Sequence, residues 1–113
     1  MQYTILIFDA ASNTDPNTPE VMAAHFAYGD LLVKAGVMRG GEGLQPPQTA
    51  KSLRLKGSQR VVHDGPFADT KEQLGGFYII EAESMEAALH WAAQCPLSAD
   101  GGIEVRETLA APN

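Results

Sequence analysis

A single α+β domain of the ferredoxin-like class, built on the split βαβ plan with an added hairpin, is the fold this sequence predicts. Three observations carry that expectation. The chain has 113 residues, enough for one core and too few for two. Two helical segments each lie between extended ones, in the order β-α-β-(hairpin)-β-α-β. The strands at residues 3–8 and 77–82 carry apolar side chains at both parities, so both of their faces need cover.

The first strand, Tyr3 to Phe8, is β-branched and aromatic, with Tyr3, Ile5 and Ile7 on one face and Leu6 and Phe8 on the other. Residues 9–17, rich in Asn, Asp, Ser and Pro, read as a loop. Thr18 is a suitable N-cap, Pro19 suits the first helical position, and Glu20 faces the positive end of the helix dipole. A helix is expected from Pro19 to about Ala35, stopped by Gly36. Residues 37–44 form a second strand through Gly40, Gly41 and Gly43, where missing side chains suggest a bulge or a close approach. Pro46-Pro47 ends it. Residues 52–56 and 60–63 flank Gly57-Ser58 as a hairpin. Residues 64–76 read as an ordered loop, with Gly75-Gly76 reversing the chain into the strand at 77–82. Ser84 caps a second helix from Met85 to about Gln94, closed by Pro96, and residues 103–109 supply the last strand.

In a split βαβ sheet, two helices cover one face, leaving the other face of the two-sided strands bare. A second copy of the chain is the economical cover, because two-fold homo-oligomers are the commonest assemblies and a bare apolar face promotes aggregation.

Charge and composition narrow the function. Eight basic against fourteen acidic residues give a net charge of −6, which repels nucleic acid and anionic lipid. No segment is long enough to cross a membrane, and the first apolar run lacks the pattern of a signal peptide. The single cysteine, Cys95, excludes an internal disulfide and fits a reducing cytoplasm, where it reads as a small buried side chain. His25, His63 and His90 are scattered with no ligand spacing, so no metal is expected. No phosphate loop, nucleophile elbow or dinucleotide motif is present, so no cofactor is expected.

Three blocks are distinctive: Gly41-Glu42-Gly43-Leu44-Gln45-Pro46, Asp64-Gly65-Pro66-Phe67, and Thr70-Lys71-Glu72-Gln73-Leu74-Gly75-Gly76-Phe77. Together they resemble the YCII-related proteins, in the branch known by its Asp-Gly-Pro-Phe motif, over nearly the whole chain. The resemblance implies a ferredoxin-like fold that pairs into a dimeric α+β barrel. It also implies a small-molecule sensor or regulator associated with an extracytoplasmic-function sigma factor. The alternative it offers is a small lyase or hydrolase-like enzyme with a His-centred acid/base site, acting on a hydroxylated aromatic or a small organic acid. Distant relatives carry a His-Asp pair whose histidine lies on the first helix, where His25 stands here. Their aspartate falls where this chain has Lys34-Ala35-Gly36, so that pair is incomplete.

The candidate site is drawn from these blocks. His25 shares a stripe with Val21, Tyr28 and Leu32, which points it toward the sheet if that stripe is the packed one; packing of Met22, Phe26 and Val33 would turn it to solvent. It is the natural proton-transfer group, with Asp64 as orienting partner. Asp64 could equally bind the backbone of its own turn. Gly65 and Pro66 restrict that turn so that it positions either the next strand or a ligand, and Phe67 reads as a plug or as a ligand wall. Lys71 and Glu72 offer a cation and a base or form a solvated pair; Glu42 is an acid between two glycines; Tyr78 completes an apolar wall. His25 and the 64–67 loop are expected to converge on one pocket with some of Glu42, Lys71 and Tyr78.

Overall fold

The computed structural model describes residues 1–67 and 70–110. Ala68 and Asp69, within the loop expected over 64–76, lie outside the described residues. The chain runs β1 (Gln2–Ala10), α1 (Pro19–Lys34), β2 (Met38–Gly43), a 3-10 turn (Pro47–Thr49), β3 (Lys51–Lys56), β4 (Gln59–Asp64), β5 (Glu72–Glu81), α2 (Met85–Ala92) and β6 (Gly102–Glu107). Four strands form an antiparallel sheet in the order β2-β5-β1-β6, and β3-β4 form a separate hairpin. This interleaving is the split βαβ arrangement, compatible with the ferredoxin-like class.

The helix ends follow their local chemistry. Thr18 Oγ1 accepts the Val21 N–H at 3.3 Å, Pro19 opens α1, and Gly36 follows the Ala35 cap with φ of 76°, a conformation glycine adopts without strain. Ser84 Oγ caps α2 through the Ala87 N–H at 3.1 Å. The stripe containing Tyr28 and Leu32 packs on the sheet, whereas Phe26 and Val33 remain exposed. The core joins Tyr3, Ile5 and Ile7 of β1 and Ile80 of β5 to Tyr28, Leu32, Ala88, Ala92 and Cys95. The Tyr28 hydroxyl donates to the Trp91 carbonyl at 2.8 Å, tying one helix to the other. Burial pushes the Cys95 thiol up to about 12, which keeps it protonated and unreactive. Among the described residues no helix is long and apolar enough to cross a membrane.

Five expectations change. β1 continues through Asp9 and Ala10, and β5 begins at Glu72 rather than Phe77. Each extension is the other's partner, Phe8 opposite Leu74, Asp9 opposite Gln73, and Ala10 opposite Glu72. The register shifts between Ile7 and Phe8, leaving Gly75 as the extra residue of β5. Gly75-Gly76 is therefore an interior bulge, not a chain reversal. The second helix and last strand are also shorter than expected, α2 ending at Ala92 and β6 at Glu107.

Both helices pack on the face that carries Tyr3, Ile5 and Ile7. Pleating and register put Leu6, Phe8, Leu74, Phe77 and Ile79 on the opposite face. The result is flat, 43 × 42 × 18 Å, with a radius of gyration of 15.6 Å against about 13 Å for a compact domain of this length. The hairpin adds to the spread: every residue of β4 is exposed, and Ser52 is the buried residue of β3.

Candidate functional site

The sheet loses its side chains beneath the first half of α1. On the helix-facing side, Gly41 and Gly43 of β2 and Gly76 of β5 follow one another where other strands present Ile or Tyr. A Cβ on Gly43 would meet nothing within 4 Å, so the space above it is open. Between this bare floor and the roof formed by Val21, Met22, His25, Phe26 and Gly29 lies a hollow of about 600 Å³. Its walls are mostly apolar with a few directed polar groups, the usual composition of a small-molecule site.

His25 and Tyr78 form the polar centre of this hollow. Tyr78 stands on β5, opposite Ile5 on one side and Gly41 on the other. Its hydroxyl lies 3.0 Å from His25 Nδ1 and 3.4 Å from the His25 carbonyl oxygen. The two rings stack at 6.0 Å, and Tyr28 meets Tyr78 edge-on at 5.1 Å. Burial, with the Cys95 thiol adding to it, pushes the Tyr78 phenol up to about 12, so it holds its proton at neutral pH. Donation of that proton to Nδ1, the nearer acceptor, leaves the imidazole N–H on Nε2.

Asp9 completes the polar wall. It follows Tyr3, Ile5 and Ile7 at the two-residue period of β1 and so faces the helices. One carboxylate oxygen accepts the Ser98 hydroxyl at 2.7 Å. The other occupies the space a side chain on Gly75 would need, because a Cβ there would fall 2.2 Å from Asp9 Oδ2. Burial pushes the His25 imidazole below its ordinary value, and the Asp9 carboxylate opposes this.

The remaining candidate residues divide between the two faces. Glu42 is exposed on β2, level with Phe77, at the edge of the hollow. Asp64 ends β4 with its side chain 85% exposed and paired to Lys51 Nζ at 2.5 Å. Gly65, with φ of 102°, donates its N–H to the Ala50 carbonyl at 2.7 Å and accepts the Ser52 hydroxyl at 2.8 Å. Pro66 and Phe67 line a second hollow with Phe8 and Leu74, residues of the helix-free face. The Arg54 guanidinium lies 4.0 Å above the Phe67 ring. Lys71 and Glu72 are exposed at the start of β5, and the Lys71 carbonyl accepts the Ala11 N–H at 2.7 Å. Within one chain, then, His25 and Tyr78 meet in one hollow, with Glu42 at its rim. The expected convergence of His25 with the 64–67 loop is not present there, because the hairpin carries that loop to the other face.

The YCII-related domain profile matches residues 1–110. The chain belongs to the YCII-related family. An uncharacterised protein of Rhizobium meliloti (strain 1021) is 36% identical over 112 residues, covering 94% of this chain and 90% of that protein. The distinctive blocks thus identified the YCII-related family correctly, while Asp9, Ser98 and Gly75 were missed as site residues. Asp9 had a signal in the 3-5-7-9 alternation, masked by the loop-like composition that begins there. Ser98 had none, since only tertiary contact brings it to Asp9.

The lowered affinity of His25 for a proton has a thermodynamic consequence of definite sign. The unfolded chain binds that proton more readily, so the contribution of neutral His25 is complete above the ordinary histidine pKa and is lost as pH falls through and below it. Asp9, Asp30, Glu42 and Tyr78 are the other ionisable groups lining the hollow. Urea denaturation between about pH 7.5 and 5.5 should show wild type losing more stability than His25→Gln, with a difference in slope of at most about 1.4 kcal/mol per pH unit. Parallel pH profiles would remove His25 as the titrating group.

Proposed function

We propose that this protein is a small-molecule-binding member of the Asp-Gly-Pro-Phe branch, working as a homodimer, with the ligand held between α1 and the sheet against His25 and Tyr78. The observation that carries the reading is the glycine-floored hollow of about 600 Å³ whose centre is a hydrogen-bonded His25–Tyr78 pair. Glycines on a sheet face that otherwise presents Ile and Tyr cost core packing, and a bound molecule would restore it.

The dimer is supported by surface. The chain exposes 7925 Å², roughly a third more than the ~6,000 Å² of a compact monomer of this length. Apolar side chains lie on that surface: Leu6, Phe8, Leu74, Phe77 and Ile79 share the helix-free face, and Leu53, Leu55 and Val62 share one face of the hairpin. A two-stranded hairpin with such a face gains little stability alone, and a partner sheet is the cover it lacks. A sensor coupled to a sigma factor is the role suggested by the resemblance.

A second reading, an acid/base enzyme, is favoured by one observation: His25 and Asp9 line the same hollow, beside a phenol that holds its proton. A thermal-shift screen of hydroxylated aromatics, small organic acids and amines tests the first reading. A ligand at a hundred times its Kd should stabilise wild type by about 2.7 kcal/mol and leave His25→Ala unmoved. Turnover of the bound compound would establish the enzyme reading. An equal response in the His25→Ala protein would place the site elsewhere.

A further inference from the structure

The charge distribution in the hollow, taken together with its shape, selects a ligand class. Of the described residues that line it, Asp9, Asp30 and Glu42 are acidic, with Glu42 paired to Phe77 and so turned toward the helix-free face, and none is a lysine or arginine. Asp30 is already engaged by Lys34 at 2.8 Å, and Glu42 stands at the sheet edge. Asp9 is the carboxylate on the helix-facing side of the floor, held there by Ser98 with its second oxygen in the gap at Gly75. The positive end of α1, which would otherwise favour an anion, is met by the Thr18 side chain and by Glu20 in the first turn. A carboxylate or phosphate entering here would face Asp9 with no cation to receive it, in a chain of net charge −6.

On the reading of this hollow as the ligand site, we propose that it binds a compact organic cation, an ammonium group on an apolar body, with the ammonium on Asp9. The apolar body lies against Val21, Met22, Phe26 and Met38, and the Nε2 side of His25 meets a neutral acceptor on the ligand if it has one. This departs from the small organic acid that the family resemblance suggests. It also accounts for Gly75: a side chain there would displace the carboxylate on which the charge preference depends.

The test uses three probes of matched shape, 2-phenylethylamine, 2-phenylethanol and phenylacetate, titrated into the full chain while the His25 and Tyr78 ring resonances are followed by NMR. The amine should bind with a Kd roughly ten- to a hundredfold below that of the alcohol, the difference between a charge-assisted and a neutral hydrogen bond, and phenylacetate should bind weakest. Asp9→Asn, which keeps an acceptor for Ser98, should raise the amine Kd by a similar factor and leave the alcohol unchanged. In wild type, added salt should weaken the amine and not the alcohol, a readout that needs no variant. Equal or tighter binding of phenylacetate or the alcohol would overturn the cation assignment while supporting the hollow as a ligand site. An amine Kd unaffected by both Asp9→Asn and salt would do the same. Failure of all three probes to perturb either ring would overturn the hollow itself as a site.

Discussion

Gly41→Ala is expected to destabilise the fold by roughly 2–4 kcal/mol, measured by urea denaturation, and to disturb the His25–Tyr78 pair. Gly41 has φ of 153°, and a Cβ there would fall 2.6 Å from the Phe77 carbonyl oxygen and 3.1 Å from the Tyr78 Cα. Both contacts are with backbone of the neighbouring strand, so no side-chain rotation relieves them. The sheet must open between β2 and β5, where Tyr78 is anchored. Gly43→Ala provides the contrast two residues on, because its Cβ would meet nothing within 4 Å. That variant should stay within roughly 0.5 kcal/mol of wild type and project into the hollow, weakening a ligand without weakening the protein. Equal costs at the two positions would show that glycine at 41 is not required by close strand approach.

The fold was legible where one residue decides a local conformation. Thr18-Pro19 and Gly36 mark the ends of α1, and Ser84 marks the start of α2, because caps and left-handed stops depend on side chains within a few residues. The ends of β1 and β5 were not legible for the opposite reason. Asp9-Ala10 and Glu72-Gln73 have poor strand character and become strand by pairing with each other across more than sixty residues. The site followed the same division. Helical period tied His25 to the stripe of Tyr28 and Leu32 but left open whether that stripe or the one with Met22, Phe26 and Val33 packs; tertiary packing selects the first. Asp64 to Phe67 could be recognised as a constrained turn, but the side of the sheet it would occupy depends on the path of the β3-β4 hairpin. A motif shows that a turn is fixed, not what faces it. Here Asp64 meets Lys51 across the hairpin, and Gly65 meets Ala50 and Ser52, so in one chain the motif closes its own arm.

Leu6→Glu should convert the expected dimer to a folded monomer. Leu6 sits at the middle of the helix-free face, opposite Phe77 on β5 and Glu104 on β6. A carboxylate there would be surrounded by apolar groups once a second sheet packs over it, and its nearest charged neighbour across the strand is another acid. Leaving such a charge unpaired at an interface costs several kcal/mol, which weakens association by roughly a hundredfold or more. Sedimentation equilibrium at micromolar concentration should therefore give twice the chain mass for wild type and the single chain mass for the variant. Far-UV circular dichroism should remain native, because the helices pack on Tyr3, Ile5 and Ile7 of the other face and lose no contact. A monomeric wild type would remove the dimer. A variant that remains dimeric would move the interface to another apolar surface, such as the ridge of Met22, Phe26 and Val33 on α1, which also rims the ligand hollow. In that case the partner would cover the mouth of the site, and ligand binding would become dependent on protein concentration; an interface on the helix-free face leaves the mouth open and the affinity independent of it.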